Sequence, residues 1–516
     1  GKIFLTGHGY TITGVPELHY TPLFPLLSGV IYLLAGNPEV GSNFWYVLLG
    51  ALTVVPVFSL ARRIYGYGVA VLSAGLVAIF PGLSSTILYW GTMTEPLFIF
   101  LISCAMWAAI VALDNDKWWA YALAGGLVGL AYLARPEGLV WLVVFALLFI
   151  LVLALKRRLL RWHTLAYLAI FVAGFLLCAA PYVAFLYRHS GKWMPTGKLS
   201  ITYDIGEAVL ERDPVLYDKV TASLDSESGE ILWWSEKRFD MSLFDIFLDD
   251  PAKFVVRIWR NTQRMVGVIF TPTLFPLFLL APMALGWFRH PWTRRRLEHE
   301  VLLLAGALPV LSFLPFHVET RFFSPAFPPM LIWVAAGFWS IGGWLAETVQ
   351  NWRSDRPVDD AAQDSENVSV GETERSRRRQ SITAVVLFVI VLIVFAFSNA
   401  RTVMQGLQGL GFAHKEAGLW IKGHAPRDAA IMSRDLAISL YAERGFVASP
   451  RAEYDAYLDY AHRKGATYLV VDERELRDLR PHLAFLLDTQ DPPPELEAVH
   501  SAVDGNGRTI VYRIKD

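Results

Sequence analysis

The stretch Phe316-His-Val-Glu-Thr-Arg-Phe-Phe-Ser-Pro-Ala-Phe-Pro-Pro329 places three ionisable side chains between two long apolar runs. They are His317, Glu319 and Arg321, and each flanking run approaches the length of a membrane helix. Ionisable groups at a membrane boundary are costly to desolvate, so they usually pair, line a wet cavity or meet a charged ligand. The simpler alternative is a short loop whose charges lie in water, and the rest of the chain bears on which interpretation is right.

The composition of the chain is that of an integral membrane protein. Of its 516 residues, 54% are hydrophobic and 18% are charged, whereas soluble domains average about 45–50% and about 25%. The formal net charge of −1 says nothing specific about partners, and no feature predicts binding to nucleic acid. The two cysteines, Cys104 and Cys178, both lie in apolar runs, so the sequence predicts no disulfide framework.

About ten apolar runs are near the length of roughly twenty residues that a bilayer-spanning helix needs. An earlier run, residues 22–35, covers only about two-thirds of a span and predicts an interfacial or re-entrant helix. Because no apolar run precedes it, we interpret residues 1–42 as the remainder of a first extracytoplasmic loop whose membrane helix is missing. The predicted spans are 43–61, 69–86, 94–113, 118–134, 138–155, 164–187, 267–287, 301–316, 324–346 and 382–399.

The orientation follows from the lysines and arginines in the short loops, since cytoplasmic loops carry an excess of them. If the predicted spans alternate, four basic clusters fall on one side, which is therefore cytoplasmic. The extracytoplasmic side then receives Glu95, Arg135, the long segment 188–266 and the loop 317–321. The basic clusters are Arg62-Arg63, Lys156-Arg157-Arg158, Arg294-Arg295-Arg296 and Arg377-Arg378-Arg379.

Two polar segments flank or interrupt the predicted transmembrane core at 43–346. Residues 188–266 form a predicted extracytoplasmic insertion, in which 243–248 and 254–259 have the pattern of amphipathic helices lying on the membrane. A plain connecting loop is the alternative, although loops of this length are uncommon without a function. Residues 347–381 are polar and charged, which predicts a disordered cytoplasmic linker before the last span.

After the last transmembrane helix, 382–400, residues 401–516 predict a small extracytoplasmic α/β domain. Helix-period segments alternate there with short β-rich runs, as in domains built from β–α units. We find no glycine-rich phosphate loop and no metal-ligand spacing in its sequence, and therefore assign it no chemistry. The predicted helical segments are 414–423, 436–443 and 454–464, and the β-rich runs are 430–432, 468–472 and 509–513.

Four positions on the predicted extracytoplasmic side carry residues that suit chemistry. Glu95 lies at the start of a predicted span. The alternative there is that an acidic residue merely stabilises the N-terminus of the helix through the helix dipole. Arg135 lies between two spans, where snorkelling, or pairing with the glutamate two residues on, is the alternative. Glu17 and His19 precede the short interfacial helix, and a solvated loop is the simpler interpretation there. The fourth position is the 317–321 loop.

The residue types at these positions suit the binding of a phosphate. Arginine grips a phosphate bidentately, while a carboxylate can remove a proton from an attacking hydroxyl. A lipid-linked phosphate donor would enter sideways from the bilayer, although a transporter for an anion could present the same residues. At a spacing of two, Glu319 faces away from Arg321 if the segment is helical. We therefore predict that Arg321 meets a phosphate rather than Glu319.

Six short motifs carry a resemblance to a known family. They are His19-Tyr-Thr-Pro-Leu-Phe-Pro25, Ala61-Arg-Arg-Ile-Tyr-Gly66, Thr94-Glu-Pro-Leu-Phe98, Ala134-Arg-Pro-Glu-Gly138, Arg321-Phe-Phe-Ser-Pro-Ala-Phe-Pro-Pro329 and Tyr468-Leu-Val-Val-Asp472. In their order and sidedness, over nearly the whole chain, they resemble those of GT-C-type glycosyltransferases that use a polyprenyl-phosphate-linked sugar. The group is the one related to dolichyl-phosphate-mannose protein mannosyltransferases and the bacterial lipid A aminoarabinose transferase.

This resemblance implies a fold, a reaction and roles for the site residues. The fold is a polytopic α-helical membrane protein, and the reaction is an inverting transfer of a sugar from a polyprenyl phosphate to a lipid, glycan or protein acceptor. Arg135 and Arg321 are expected near the phosphate, while Glu95 and His317 shape the pocket. We expect no metal and no other cofactor, since arginines can meet the charge of the leaving phosphate.

The chain departs from the family in one respect. The family's catalytic carboxylate lies in an acidic pair in the first extracytoplasmic loop, and no such pair precedes Pro16. We interpret the chain as N-terminally truncated and expect it to be inactive as it stands, with Glu95 as the best remaining carboxylate.

Two other functions compete with the glycosyltransferase interpretation. A secondary transporter predicts internal repeats with matching broken helices near the membrane midplane, and the sequence has no convincing repeat. A scaffold that only anchors the C-terminal domain needs far fewer spans than about ten.

Overall fold

The computed structural model describes the chain except for residues 13–14, 85–92, 158–160, 235–241, 273, 290, 355–367, 409–411, 506 and 516. Up to Gln408 the described chain is almost entirely helical, with one small hairpin of β1 (Thr11–Ile12) and β2 (Val15–Pro16). The helices are α1 (Lys2–Leu5), α2 (Leu23–Ala35), α3 (Pro38–Leu52), α4 (Val54–Tyr65), α5 (Tyr67–Ile79), α6 (Glu95–Asn115), α7 (Trp118–Ala134), α8 (Gly138–Leu155), α9 (Trp162–Ser190), α10 (Leu199–Glu211), α11 (Pro214–Ala222), α12 (Leu243–Asp249), α13 (Pro251–Ile269), α14 (Leu280–Trp287), α15 (Arg294–Ala307), α16 (Phe327–Ser354) and α17 (Val368–Gln408). Short 3₁₀ helices occupy Leu232–Trp234, Leu277–Leu279, Leu308–Phe313 and Thr320–Ala326.

The described helices confirm the predicted polytopic α-helical membrane architecture. Six of them are long and apolar enough to cross a bilayer, and four shorter apolar helices accompany them. The six are Pro38–Tyr65, Glu95–Asn115, Gly138–Leu155, Trp162–Ser190, Thr320–Val349 and Val385–Met404, and the shorter four are Leu23–Ala35, Tyr67–Ile79, Trp118–Ala134 and Leu277–Trp287. The count of about ten spans stays a prediction.

The turn between α2 and α3 shows how the sequence sets helix boundaries in this bundle. Gly36 adopts a left-handed conformation (φ 66°) that ends α2, as glycine does without steric cost. Asn37 then accepts the backbone N–H groups of Glu39 and Val40 at 2.9 and 3.3 Å, which caps α3. Pro38 occupies the first helical position, where its missing N–H is harmless. The tight turn folds α2 back against α3.

Helix α6 separates two sets of charged residues that the sequence analysis assigned to opposite membrane sides. Glu95 begins this helix and Asp114 lies in its last turn, about 30 Å away at the usual helical rise. Asp114 accepts hydrogen bonds from Arg63 at 2.6 Å and Arg295 at 2.9 Å, and His299 lies 3.0 Å from it. Two of the predicted basic clusters therefore gather at the end of the bundle opposite Glu95.

The predicted spans at 267–287 and 301–316 do not form continuous α-helices. In the second, α15 ends at Ala307 and a 3₁₀ helix follows over 308–313. The run at 267–287 is interrupted between the end of α13 at Ile269 and the 3₁₀ turn at 277–279 that leads into α14. Pro272 and Pro276 lie in this gap, and a proline removes a helical hydrogen bond and clashes with the preceding turn. Apolar composition alone did not reveal this break.

The tract predicted as a disordered linker, 347–381, is helical at both ends. Helix α16 continues to Ser354, and α17 begins at Val368, well before the predicted span. The middle of the tract, 355–367, lies outside the described residues. Polar composition therefore misplaced the helix boundaries, because a helix continued from a membrane span needs no apolar face of its own once it leaves the bilayer.

Residues 413–515 contain a five-stranded sheet with helices on both faces, which confirms the predicted small α/β unit. The elements are α18 (Ala413–His424), β3 (Ala430–Ser433), α19 (Leu436–Ala442), β4 (Gly445–Ala448), α20 (Tyr454–Arg463), β5 (Tyr468–Asp472), α21 (Glu473–Asp478), a 3₁₀ helix (Pro481–Leu487), β6 (Leu496–Asp504) and β7 (Gly507–Ile514). The strand order is β4-β3-β5-β7-β6, with β3 parallel to β4 and β5, and β7 antiparallel to β5 and β6. Ile421 and Ile438 fill one face, and Tyr457 and Leu483 fill the other. Strands β4 and β6 were not predicted from the sequence.

The insertion at 188–266 packs into the C-terminal unit. Ile231 joins the core of the sheet, and the buried carboxylate of Asp218 accepts two hydrogen bonds from the buried Arg480 at 2.9 and 3.1 Å. Arg434 and Arg451 lie 3.3 and 3.4 Å from the same carboxylate. Since a buried charge without its partner is strongly destabilising, these contacts fix the insertion against the sheet.

Candidate active site

Arg135 lies between α7 and α8 and bridges two carboxylates. Because Pro136 disfavours helical geometry in the residue before it, Arg135 is extended (φ −152°) and ends α7. Its Nη1 donates to Glu95, the first residue of α6, and two further nitrogens donate to Glu137 at 3.3 and 3.4 Å. The alternative raised from the sequence, pairing with Glu137, is therefore present, but Glu95 joins it.

The surroundings keep Arg135 charged. The rings of Phe98 and Phe322 face its guanidinium at 5.9 and 5.5 Å, and such rings attract a cation. Burial opposes the charge, but Glu137 and Glu95 outweigh it and raise the pKa of Arg135 above its ordinary value. A fixed positive charge therefore lies in a poorly solvated position.

The 317–321 loop forms its own network and corrects one prediction. Glu319 has extended backbone (φ −123°, ψ 153°) directly before the 3₁₀ helix at 320–326, so its side chain turns toward Arg321. Arg321 donates from Nε to Glu319 at 2.7 Å, and His317 Nε2 lies 3.3 Å from the other carboxylate oxygen. The prediction that Glu319 and Arg321 face apart was wrong, because it assumed a helix across both residues.

Glu319 is the one carboxylate in the sequence of the 317–321 loop, and its pKa is strongly perturbed. Burial raises its pKa, yet the hydrogen bond from His317 and the charge of Arg321 outweigh burial and lower the pKa of Glu319 to about 2. Its role in the loop is therefore to hold cations as a permanent anion rather than to accept a proton.

The two networks meet at Glu95. Arg321 Nε lies 3.9 Å from Glu95 Oε1, the same oxygen that accepts from Arg135. Glu95 is 1% exposed, and its second oxygen has no hydrogen bond among the residues that the structure describes. The structure thus brings Glu95, Arg135, His317, Glu319 and Arg321 together in one charged cluster, although the set spans more than 200 residues of the sequence.

Lys198 completes the cluster and was missed in the sequence analysis. It directly precedes α10 in the insertion, and its half-buried side chain lies within the electrostatic reach of Glu137, Arg135 and Arg321. Burial lowers the pKa of Lys198, with the two arginines adding to the effect and Glu137 opposing it. Within the described part of the chain it forms no ion pair. No motif surrounds it, so only the packing of the insertion could have identified it.

Glu17 and His19 lie beside the cluster in a structural role. Glu17 accepts the backbone N–H groups of His19 and Tyr20 at 2.7 and 3.0 Å, and both Glu17 and His19 are buried. The His19 ring packs on Trp233 of the insertion at 5.3 Å. The solvated loop considered for these residues is therefore wrong, because the insertion covers it.

Aromatic residues border the cluster on the side of the C-terminal sheet. Tyr20 stacks on Trp233 at 6.2 Å, and the ammonium of Lys198 lies 5.4 Å from the Tyr20 ring. Burial raises the pKa of Tyr217, and the charges of Arg434, Glu319 and Arg321 all act on it. Tyr217 is therefore within electrostatic range both of the loop at 317–321 and of Arg434, which follows strand β3.

The charges of this cluster suit an anionic ligand. Among the described residues, no group of three or more His, Cys, Asp or Glu side chains is arranged to hold a metal ion. Each carboxylate of the cluster faces an arginine or Lys198 rather than other acids. A phosphate at this position would meet partly buried cations, and charge-assisted hydrogen bonds are strong where water is partly excluded.

Residues 19–185, about a third of the chain, match the sequence profile of the dolichyl-phosphate-mannose-protein mannosyltransferase family. This part contains His19, Glu95 and Arg135, whereas Lys198 and the 317–321 loop lie beyond it. No curated protein matches the chain in a direct sequence comparison.

Solved structures resemble the chain over most of its length. ArnT from Cupriavidus metallidurans bound to undecaprenyl phosphate has a TM-score of 0.53 at 14% identity, over 99% of this chain and 91% of that one. The archaeal oligosaccharyltransferase AglB from Archaeoglobus fulgidus, in complex with an inhibitory peptide and a dolichol-phosphate, has a TM-score of 0.53 at 15% identity, over 90% of this chain. The Archaeoglobus fulgidus oligosaccharyltransferase in complex with Zn and sulfate has the same TM-score and identity, over 96% of this chain.

These comparisons confirm the resemblance to GT-C-type glycosyltransferases that the six motifs indicated. At such identities the solved structures establish the fold, which this chain shares with ArnT and AglB. The chain spans 62% of the length of the AglB chain.

Proposed function

We propose that the protein is a membrane glycosyltransferase that moves a sugar from a polyprenyl-phosphate carrier to an extracytoplasmic acceptor. The observation that carries this proposal is the convergence of Arg135, Lys198 and Arg321 at one end of the helix bundle. The profile match at 19–185 supports the reaction class. ArnT bound to undecaprenyl phosphate and AglB in complex with a dolichol-phosphate support a lipid phosphate as the ligand.

The donor phosphate would bind between Lys198 and Arg321. Lys198 forms no ion pair with a described residue, so a phosphate oxygen adds a partner without displacing one. Arg321 directs Nη1 at the sulfur of Met93, 3.1 Å away, and a thioether is only a weak acceptor. A phosphate oxygen is a stronger acceptor for the same nitrogen, and the planar guanidinium fits phosphate geometry.

The polyprenyl chain would lie in an apolar cleft beside Glu95. This cavity of about 170 Å³ is formed between α3, α4, α5 and α6. Of its nine lining residues only Thr53 has a polar side chain, which suits an isoprenoid chain, and the lining includes Pro96, the residue after Glu95. The lining residues are Gly50, Ala51, Thr53, Val54, Val77, Ala78, Leu83, Pro96 and Ile99.

In the reaction the oxygen of the acceptor hydroxyl attacks the anomeric carbon of the sugar, and the bond from that carbon to the phosphate oxygen breaks. The hydroxyl proton passes to the released phosphate or to water. The bonding electron pair leaves with the polyprenyl phosphate, which gains negative charge. Arg135, Lys198 and Arg321 would stabilise this charge as it develops, which is the usual contribution of preorganised cations to such a transition state.

Glu95 would orient the arginines rather than act as the base. Its Oε1 accepts a hydrogen bond from Arg135 and lies 3.9 Å from Arg321 Nε, so this oxygen is already engaged by two guanidinium groups. We therefore revise the candidate catalytic role of Glu95 to a positioning role.

The proposal is tested by ligand binding to the purified protein in detergent. Native mass spectrometry would compare undecaprenyl phosphate with undecaprenol, the same chain without the phosphate. We expect retention of the phosphate only, and its loss in the triple variant Arg135→Gln, Lys198→Met, Arg321→Gln. Equal retention of both lipids, or of the phosphate by the triple variant, would contradict the proposed site. Transfer of labelled sugar from a polyprenyl phosphate to membrane acceptors, measured with an N-terminally extended chain, then tests the reaction class.

A further inference from the structure

Helix α13 buries its polar face and exposes its apolar one. Arg257 and Asn261 are 3% and 0% exposed, whereas Val255, Trp259 and Val266 on the opposite face are exposed. In a soluble helix the apolar stripe faces the core instead. Because buried polar groups are costly unless they are hydrogen-bonded, the inward side chains of α13 must serve specific contacts.

Asn261 holds the backbone that leads into the 317–321 loop. Its side-chain amide donates to the carbonyl oxygens of Leu314 at 2.8 Å and Phe316 at 3.1 Å. Both acceptors lie within three residues of His317. One amide group that binds two carbonyls of the same short segment fixes both the position and the bend of that segment.

Helix α10 contacts the same segment. A Cβ added at Gly206 would lie 2.3 Å from the carbonyl oxygen of Phe316, so only glycine permits this approach. Arg257 ties α10 to α13, since it donates to the Tyr203 carbonyl at 2.9 Å and lies 3.3 Å from Glu207. Because α10 begins directly after Lys198, the two helices together set where this lysine lies relative to the loop.

We infer that Asn261 is a positioning residue for the phosphate site, which acts through the 314–316 backbone on His317, Glu319 and Arg321. The inference rests on the proposed function. Without the amide of Asn261, two partly buried carbonyls lose this donor, and the loop is free to move to a place where they are solvated. Arg321 then moves away from Lys198, so that the two side chains no longer face the same phosphate, although neither residue has been substituted.

The test compares Asn261→Ala with Thr262→Val, its neighbour on α13. The Thr262 hydroxyl donates to the carbonyl of Ile258 within the same helix at 2.8 Å, so the control also removes one hydrogen bond but leaves the loop untouched. Binding of undecaprenyl phosphate should weaken about tenfold in Asn261→Ala, equivalent to ~1.4 kcal/mol. It should remain unchanged in Thr262→Val.

A double-variant cycle separates positioning from general destabilisation. If Asn261 acts through Arg321, the loss caused by Asn261→Ala disappears in an Arg321→Gln background, because coupled residues are not additive. Additive losses, or an Asn261→Ala protein that binds as tightly as Thr262→Val, would overturn the inference. If Asn261→Ala does not fold, Asn261→Leu keeps the side-chain volume but removes both donated hydrogen bonds, and binding equal to wild type would overturn the inference in the same way. Failure of the wild-type protein to bind undecaprenyl phosphate would instead contradict the proposed function.

Discussion

Replacement of Lys198 by methionine is expected to weaken ligand binding while it stabilises the protein. Methionine keeps the length of the side chain and removes the charge. In the folded protein, burial and the neighbouring Arg135 and Arg321 lower the pKa of Lys198. A lowered pKa means that the folded state disfavours the ammonium, so the charged lysine destabilises the protein at every pH below that pKa. The midpoint of thermal unfolding should therefore rise in Lys198→Met.

The effect on binding has the opposite sign. A hydrogen bond to a charged group contributes about 1.5–3 kcal/mol, and each ~1.4 kcal/mol is tenfold in a dissociation constant. We therefore expect undecaprenyl phosphate to bind Lys198→Met about 10- to 100-fold more weakly. The wild-type affinity should also fall as the pH rises through the lowered pKa of Lys198, and this pH dependence should be absent from the variant.

Both quantities are measured on purified protein, by titration of the lipid phosphate and by thermal unfolding without ligand. Lys192→Met is the matched control, because Lys192 lies six residues earlier in the same segment and is exposed. A simultaneous fall in affinity and in stability would mean that Lys198 is merely structural. Wild-type affinity in Lys198→Met would refute its assignment to the phosphate site.

Three further substitutions extend these expectations. Arg321→Lys keeps the charge but loses the planar guanidinium. Since about one charge-assisted hydrogen bond is lost, the affinity for undecaprenyl phosphate should drop about tenfold. Unchanged affinity in both Arg321→Lys and Arg321→Gln would show that this arginine is dispensable for binding. Hydrogen bonds with Asp435 and Asp472 raise the pKa of His414 to about 10. The protonated histidine therefore makes its full contribution to the stability of the folded protein below about pH 6.5, and this contribution is lost as the pH approaches 10. The difference in unfolding temperature between wild type and His414→Gln should shrink over that range. A constant difference would contradict the inference that His414 is protonated in the folded protein. Trp259 on the exposed apolar face of α13 should be quenched by brominated lipids in vesicles, measured against Trp259→Phe, and no difference in quenching would place α13 away from the bilayer.

Much of the architecture follows from local pattern. A run of about twenty apolar residues can satisfy its backbone in a bilayer only as a helix, and for this reason α6, α8 and α9 match the predicted spans closely. The strands at 430–433 and 468–472 were also predicted, because buried parallel strands are short, apolar and bounded by polar residues. Where backbone chemistry interrupts an apolar run, as Pro272 and Pro276 do, composition was misleading.

The candidate site was predictable only in part. Glu95, Arg135 and Arg321 stood out because an ionisable residue beside an apolar run has few explanations. Glu17 and His19 stood out on weaker grounds, and their burial under Trp233 depends on a contact with a residue more than 200 positions away.

The sequence by itself determined that this is a helical membrane protein with a small α/β unit, and which charged residues lie near membrane boundaries. Only the tertiary structure decided which of those charges share a partner. Glu95 contacts both Arg135 and Arg321, Lys198 lies within electrostatic reach of these arginines, and Asn261 binds the backbone just before His317, although no motif surrounds Lys198 or Asn261. The physical reason is that burial and charge pairing depend on distance in space. Hydrophobic periodicity records only the environment of each helix, whereas a site is made by loops that several helices bring together.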